Sequence, residues 1–188
     1  MDLVSAALAN PTNRAILQRL PVLGLDQAWL VAGCVFQSLW NLQAARPVRD
    51  GIKDYDIFYF DGSDLSYAAE DAVVRRAAAL FADLDVLIDI KNQARVHLWF
   101  RQRFGTDYPQ LRSAAEGIDR FQVRGTCLGV TPRGDGSIGL HATYGTGEIA
   151  AGILRPNPLS PTGGTFRAKA ESYRARWPWL TIVENDGA

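Results

Sequence analysis

The sequence has little of what builds disulfide scaffolds, zinc sites, membrane spans or basic nucleic-acid surfaces. Only two cysteines, Cys34 and Cys127, occur in 188 residues, and they do not form the C-x-x-C spacing of a zinc site. No apolar run approaches the roughly 20 residues needed to cross a bilayer, and the first residues lack the basic and apolar regions of a signal peptide. We therefore expect a cytoplasmic protein without a membrane anchor.

The charges of the chain balance, but its basic residues are uneven. Twenty acidic side chains match 20 basic ones, so the formal net charge is zero and a general electrostatic grip on nucleic acid is not expected. Lysine is scarce, since 17 of the 20 basic residues are arginine and the only lysines are Lys53, Lys91 and Lys169. A GC-rich genome produces the same bias, so the scarcity alone is not evidence of function.

The hydrophobic residues, 47% of the chain, follow helix and strand periodicities in alternation. This alternation predicts one domain with an α/β (α+β) core over about residues 1–120. From residue 121 onward, turn signals separate short apolar runs, which predicts a β-rich extension over residues 121–188, with a hairpin inside it. The expected strands of the core are residues 28–32, 54–60 and 86–90, and the expected helices are residues 11–20, 34–43, 65–82 and 94–104.

Asp54 and Asp56 stand two residues apart at the start of an expected strand. Because strand side chains alternate, both carboxylates leave the same face, where they repel each other and are costly to bury. A divalent cation resolves both problems, since Mg²⁺ accepts oxygen ligands from one or two carboxylates together with substrate phosphates. The spacing alone leaves a structural role at the strand edge open, because a second such pair, Asp83 and Asp85, lies in a turn-like context.

Two neighbouring features favour the metal site. Upstream, an expected strand ends at Gly33 and a helix begins, and such a turn offers free amides to an anionic group. Downstream, Asp89 is an acid within the apolar run of the next strand. If the two strands are neighbours, three carboxylates meet opposite a helix N-terminus, which is the arrangement needed to hold a metal-bound triphosphate.

Three ordered segments resemble a bacterial nucleotidyltransferase-like family within the polymerase-β-type superfamily. They are residues 31–41, 52–61 and 89–99. The last is the most specific, because its run KNQARVH, beginning at Lys91, is similar to a signature of that family. Residues 155–158 and 176–180 also resemble its C-terminal half, so the resemblance covers nearly the whole chain. It implies a nucleotidyltransferase-like mixed sheet flanked by helices.

The resemblance implies a role for each residue that matches the superfamily pattern of a glycine turn, an Asp-x-Asp pair and a third acid. Gly33 would open the phosphate-binding helix, and Asp54 and Asp56 would ligate Mg²⁺ or Mn²⁺. Asp89 would be the third metal ligand and would help to deprotonate the acceptor hydroxyl. Because a thiol is a poor donor to phosphate, Cys34 is expected to contribute its backbone N–H. The residues expected to contact the nucleotide are Gly33, Cys34, Lys91 and Asn92.

These assignments predict an Mg²⁺-dependent nucleotidyltransferase that moves a nucleoside monophosphate from an NTP to an acceptor that the sequence does not identify. The balanced charge makes a small molecule or a protein the expected acceptor rather than a nucleic acid, and no membrane partner is expected. The alternative is a catalytically silent module that binds nucleotide or a partner on the same fold. Cys34 favours this alternative, whereas three mutually repelling acids favour the enzyme.

Overall fold

The computed structural model describes residues 1–184. Helices and strands alternate through most of the chain. The helices are α1 (Leu3–Ala9), α2 (Pro11–Arg19), α3 (Gly33–Gln43), α4 (Tyr67–Leu80), α5 (Val96–Phe104), α6 (Ala114–Ile118), α7 (Gly147–Ala151) and α8 (Phe166–Arg176). The strands are β1 (Trp29–Val31), β2 (Asp54–Tyr59), β3 (Leu87–Asn92), β4 (Leu128–Pro132), β5 (Ile138–Ala142), β6 (Ile153–Leu154) and β7 (Thr181–Ile182). None of the helices in this described part is long and apolar enough to cross a membrane.

Five of the strands form one mixed sheet in the order β3-β2-β1-β4-β5. β2 and β3 are parallel, and α4 lies between them in the chain, whereas β1 pairs antiparallel with both β2 and β4. The expected hairpin is confirmed as β4 and β5, and it extends the central sheet at one edge. The predicted mixed sheet flanked by helices is therefore confirmed. β6 and β7 pair separately as a short parallel ladder.

One face of the central sheet makes the main hydrophobic core. Alternate residues of β2 from Tyr55 to Tyr59 are buried there, as the period-two alternation of a strand requires. Residues of α1, α3 and α8 belong to the same cluster, including the buried rings of Phe36 and Trp40. The intervening residues of β2, Asp54 and Asp56, are only partly buried, so the second face of the sheet is open to a site.

Two buried tryptophans fix the C-terminal helix against α3. The Trp177 indole donates a hydrogen bond to Asn41 Oδ1 at 3.0 Å, and the Trp40 indole donates one to the Ile149 carbonyl at 2.9 Å. The two ring centroids are 5.3 Å apart. A buried indole contributes a large apolar surface, and its N–H needs one hydrogen-bond acceptor. Both indoles have such an acceptor here. The end of α8 is thereby held in a defined place relative to α3.

A buried ion pair holds the segment that follows β3. The side chains of Arg95 and Glu70 pair with only 9% and 15% of their surface exposed, and Arg95 Nε donates to the Leu65 carbonyl at 2.8 Å. The other carboxylate oxygen of Glu70 accepts the Asn92 N–H at 2.9 Å. Because both charged groups have partners, the pair fixes the place where β3 ends and the next helix begins.

We expect Glu70→Ala to lower the free energy of unfolding by about 3 kcal/mol, because it leaves the Arg95 charge buried without a partner. Asp71→Ala is the matched control one residue along α4, since its partner Arg75 is 79% exposed. The control is expected to lose less than about 1 kcal/mol. Urea denaturation measures both losses, and equal losses would contradict the structural role given to the buried pair.

Candidate active site

Strand pairing brings the three predicted carboxylates onto one face of the sheet. In the parallel ladder of β2 and β3, Asp56 lies beside Asp89, and Asp54 lies beside Leu87. Side chains two residues apart in a strand share a face, so all three acids project from the same side of the sheet. The two strands are thus neighbours, as the sequence analysis required for a common site.

A cleft of about 830 Å³ opens on this face, a volume within the range of small-molecule and cofactor sites. Asp54 and Asp56 line it together with Ala32 and Gly33, which form the start of α3. Another part of the lining is aromatic and comes largely from α5 and the chain that follows it. These aromatic residues are Trp99, Phe100, Phe104, Tyr108 and Phe121.

Burial and charge repulsion act together on Asp56. Burial is the largest cause, and the carboxylates of Asp54 and Asp89 add repulsion, so the pKa of Asp56 is raised to about 7. Lys91 and Lys169 oppose this rise. A divalent cation held by Asp54 and Asp56 would take the place of the proton, so this pair of hard oxygen donors fits a metal ion of the Mg²⁺ type.

Asp89 is engaged by a neighbouring lysine. Lys91 Nζ donates to Asp89 Oδ1 at 2.5 Å, and the lysine and aspartate side chains are 38% and 42% exposed. Lys91 lines the main cleft, whereas Asp89 lines a smaller depression of about 190 Å³ beside it. Within residues 1–184, no group of three or more His, Cys, Asp or Glu side chains is arranged to hold a metal ion. The structure therefore joins Asp54 and Asp56 at the cleft and keeps Asp89 adjacent but paired.

The side chains of Cys34 and Asn92, both expected at the nucleotide, do not line the cleft. Cys34 is fully buried, its thiol donates to the Val31 carbonyl at 3.2 Å, and burial raises the pKa of that thiol. The Asn92 side chain donates to the Asp61 carbonyl at 2.8 Å and accepts the N–H groups of Asp61 and Ala94. Both side chains are occupied by internal hydrogen bonds, and both residues are buried.

The turn into α3 is strained, and it lies at the cleft. Ala32, the residue before the helix, has φ 59° and ψ −145°, a conformation that residues with a Cβ rarely adopt. No side chain in the described chain caps this helix end. A Cβ at Gly33 would lie 2.5 Å from Gln37 Nε2, so glycine lets the Gln37 side chain lie against the first turn. The uncapped first turn of α3 therefore meets the cleft at Gly33, where a helix N-terminus favours an anion.

The cleft contains more positive charge than the sequence analysis placed there. All three lysines of the chain, Lys53, Lys91 and Lys169, line it, together with Arg120 and Arg176. Only Lys91 was predicted at the site. No local pattern could have placed the other four there, because they come from separate segments that meet only after folding.

Comparison with known proteins gives the family. A family model described as a nucleotidyltransferase matches residues 18–182. The chain belongs to the nucleotidyltransferase family. An NMR structure described as revealing a CCA-adding enzyme head domain is similar to this nucleotidyltransferase, with a TM-score of 0.76 and 22% identity over 97% of this chain and 95% of that one. That likeness shows a shared fold. None of the curated proteins matches the sequence.

The raised pKa of Asp56 gives the stability of this nucleotidyltransferase a definite pH dependence. The unfolded chain releases the Asp56 proton near the ordinary pKa of 3.8, but the folded chain keeps it until about pH 7. The free energy of unfolding therefore falls as the pH rises between these values. The Asp56→Asn variant does not show this fall, because its amide has no proton to release. Without divalent cations, we expect the variant to match the wild type near about pH 4 and to be about 2 kcal/mol more stable near about pH 8.

Urea denaturation across this pH range measures the difference. Asp83→Asn is the control, because the hydrogen bond from Arg19 lowers the pKa of Asp83 and this variant should gain no stability at alkaline pH. A difference between wild type and Asp56→Asn that stays constant with pH would show that Asp56 does not keep its proton up to neutrality.

Because the turn at Ala32 is strained, we expect a glycine at this position to stabilise the protein. Ala32→Gly is expected to raise the free energy of unfolding by about 1 kcal/mol, because relief of the positive φ exceeds the added entropy of the unfolded chain. Ala72→Gly, at an exposed position within α4, should lower it by about 1 kcal/mol. Denaturation of both variants separates these opposite signs, and a loss of stability in Ala32→Gly would contradict the strain.

Proposed function

We propose that this nucleotidyltransferase moves a nucleoside monophosphate from an NTP to a hydroxyl, or to another nucleophile, of an acceptor. The observation that carries the proposal is the position of Asp54 and Asp56, side by side at the cleft and next to the uncapped start of α3. A carboxylate pair offers a place for a cation, and free helix amides offer donors to phosphate, so the two together suit a metal-bound triphosphate.

Asp54 and Asp56 would hold Mg²⁺ or Mn²⁺, with Asp89 as the third carboxylate of the same face. When bound, the ion supplies neutralisation of charge on the phosphoryl oxygens. The protein residues position the substrates around it. The amide of Gly33 would bind a phosphate at the start of α3, where the helix dipole favours negative charge. Asn92 contributes indirectly, since its hydrogen bonds fix the end of β3 next to Lys91.

Asp89 could act as a proton acceptor once its ion pair with Lys91 opens. This ion pair is well exposed, and such pairs contribute at most about 1 kcal/mol, so it opens at small cost. When Lys91 turns to a phosphate, Asp89 becomes free to take the proton of the acceptor hydroxyl or to complete the metal site. Both roles need the carboxylate that the strand register places beside Asp56.

The acceptor class favoured here is a small molecule or a protein. The formal net charge of zero lacks the excess of basic residues that a polynucleotide usually requires. The name of the structural neighbour, a CCA-adding enzyme head domain, describes that protein, and at 22% identity it supports the fold alone. The aromatic part of the cleft, around Trp99, Phe100 and Tyr108, suits a planar group such as a base or an aromatic acceptor.

Metal-dependent binding of the four common NTPs tests the site directly. We expect calorimetry to show binding that Mg²⁺ strengthens in the wild type, and Asp54→Ala or Asp56→Ala to lose that metal-dependent gain, weakening affinity by about tenfold or more. Asp83→Ala, from the second Asp-x-Asp pair of the chain, is the control and should bind like the wild type. Equal binding in all four proteins would remove the metal site from the proposal.

A second candidate, the catalytically silent binding module, is favoured by one observation. Asp89 is paired with Lys91, and the described residues contain no three-ligand metal group as they stand. Turnover separates the two candidates. Release of pyrophosphate from labelled NTP in the presence of a cell extract supports transfer, whereas binding of NTP without release supports the silent module.

A further inference from the structure

The proposed transfer uses only one of the five cations that line the cleft. The other four are Lys53 before β2, Arg120 after α6, and Lys169 and Arg176 on α8. Among the described residues, the acids that line this cleft are Asp54 and Asp56 alone. A chain with a formal net charge of zero has therefore concentrated positive charge in its main cleft, which indicates an anionic ligand.

The charged residues of α8 lie on two faces of the helix, one at the cleft and one away from it. Arg167 and Arg174 both pair with Glu171, at 3.1 Å and 2.8 Å, on the side of the helix away from the cleft. Lys169 and Arg176 are seven residues apart, so they share the face that lines the cleft. Within residues 1–184, neither of these two cations forms an ion pair with a carboxylate. The surface charges of α8 are thus satisfied by their neighbours, while its cleft charges are left for a ligand.

The buried Tyr173 ring lies close to both cleft cations of α8, and Arg176 also lies 4.6 Å from the centroid of the Trp177 ring. The Lys169 ammonium lies 5.3 Å and the Arg176 guanidinium 5.4 Å from the centroid of the Tyr173 ring. These are distances at which a cation is attracted to an aromatic face. The same ring makes edge contacts with Phe36 and Trp40 of α3, at 5.6 Å and 5.4 Å. The two cations are therefore held in a fixed relation to the helix whose uncapped N-terminus lines the cleft.

Both cations act on the acidic pair from across the cleft. Lys169 opposes the burial that raises the pKa of Asp56. Burial lowers the pKa of Arg176, and the side chains of Tyr173 and Asp54 oppose that lowering. Within the described chain, the Arg176 guanidinium donates only long hydrogen bonds, to the Ser172 carbonyl at 3.3 Å and to Gln37 Oε1 and the Gly51 carbonyl, both at 3.4 Å. A partly buried guanidinium with such weak partners gains most from a charged oxygen ligand.

We propose that Lys169 and Arg176, with Lys53 from the loop before β2, form a polyphosphate subsite opposite Asp54 and Asp56. In the transfer reaction this subsite binds the β- and γ-phosphates, the part of the NTP that leaves as pyrophosphate. The identification of the ligand as an NTP rests on the proposed function. The preference for a polyphosphate anion rests on α8 alone.

Inorganic tripolyphosphate, titrated calorimetrically in EDTA without divalent cations, tests the subsite. We expect the wild type to bind it, Lys169→Ala and Arg176→Ala each to weaken the affinity by about tenfold, and the double variant by about a hundredfold. Lys169→Arg, which keeps the charge, should retain the affinity within about threefold. Arg174→Ala is the matched control, because it removes a cation of the same helix on its other face.

Two results would overturn the subsite: a wild type that does not bind tripolyphosphate, or a double variant, folded by thermal melting, that binds it as tightly as the wild type. The measurement uses neither metal nor acceptor, so it is independent of turnover. Tripolyphosphate binding with the predicted losses supports the subsite even if the wild type transfers no nucleotide, and that outcome refutes only the proposed function. Unchanged binding in the double variant with intact turnover refutes only the subsite.

Discussion

The parallel pairing of β2 with β3 is the constraint on which the rest of the site depends. It places Asp56 beside Asp89, with Asp54 two residues earlier on the same face, so three carboxylates share one side of the sheet. Burial, with their repulsion added, raises the pKa of Asp56 to about 7. A proton on Asp56 and the ion pair of Asp89 with Lys91 reduce this repulsion in part. A metal-bound triphosphate would neutralise the remaining charges, because it brings a cation to the acids and an anion to the lysines.

The hydrophobic core sets the geometry of the opposite wall. α3 presents its uncapped first turn to the cleft and buries Phe36 and Trp40 against Tyr173. Since Tyr173 also contacts Lys169 and Arg176, the packing of α8 on α3 fixes a positive surface near the amides of the helix. The acids of β2, the N-terminus of α3, and the lysines of β3, α8 and the loop before β2 thus line one cleft.

Local patterns in the sequence predict the strands and helices that form the acidic wall. Period-two alternation is enough to put Asp54 and Asp56 on one face, and the glycine turn before α3 marks the helix that begins at the cleft. The roles of Cys34 and Asn92 could not be predicted in this way, because resemblance locates a segment but not the exposure of each side chain, and both side chains make internal hydrogen bonds. Nor does any local pattern reveal which face of α8 meets the cleft. The orientation that brings Lys169 to the cleft depends on long-range packing through Tyr173 and Trp177.

Crystallography with Mn²⁺ and a non-hydrolysable NTP analogue tests the central claim most directly, because anomalous scattering locates the metal independently of the protein. The account predicts Mn²⁺ between Asp54 and Asp56, phosphates between the start of α3 and the cleft face of α8, and Lys91 released from Asp89. Nucleotide bound elsewhere, or bound in the cleft while Asp54 and Asp56 hold no metal, would contradict it.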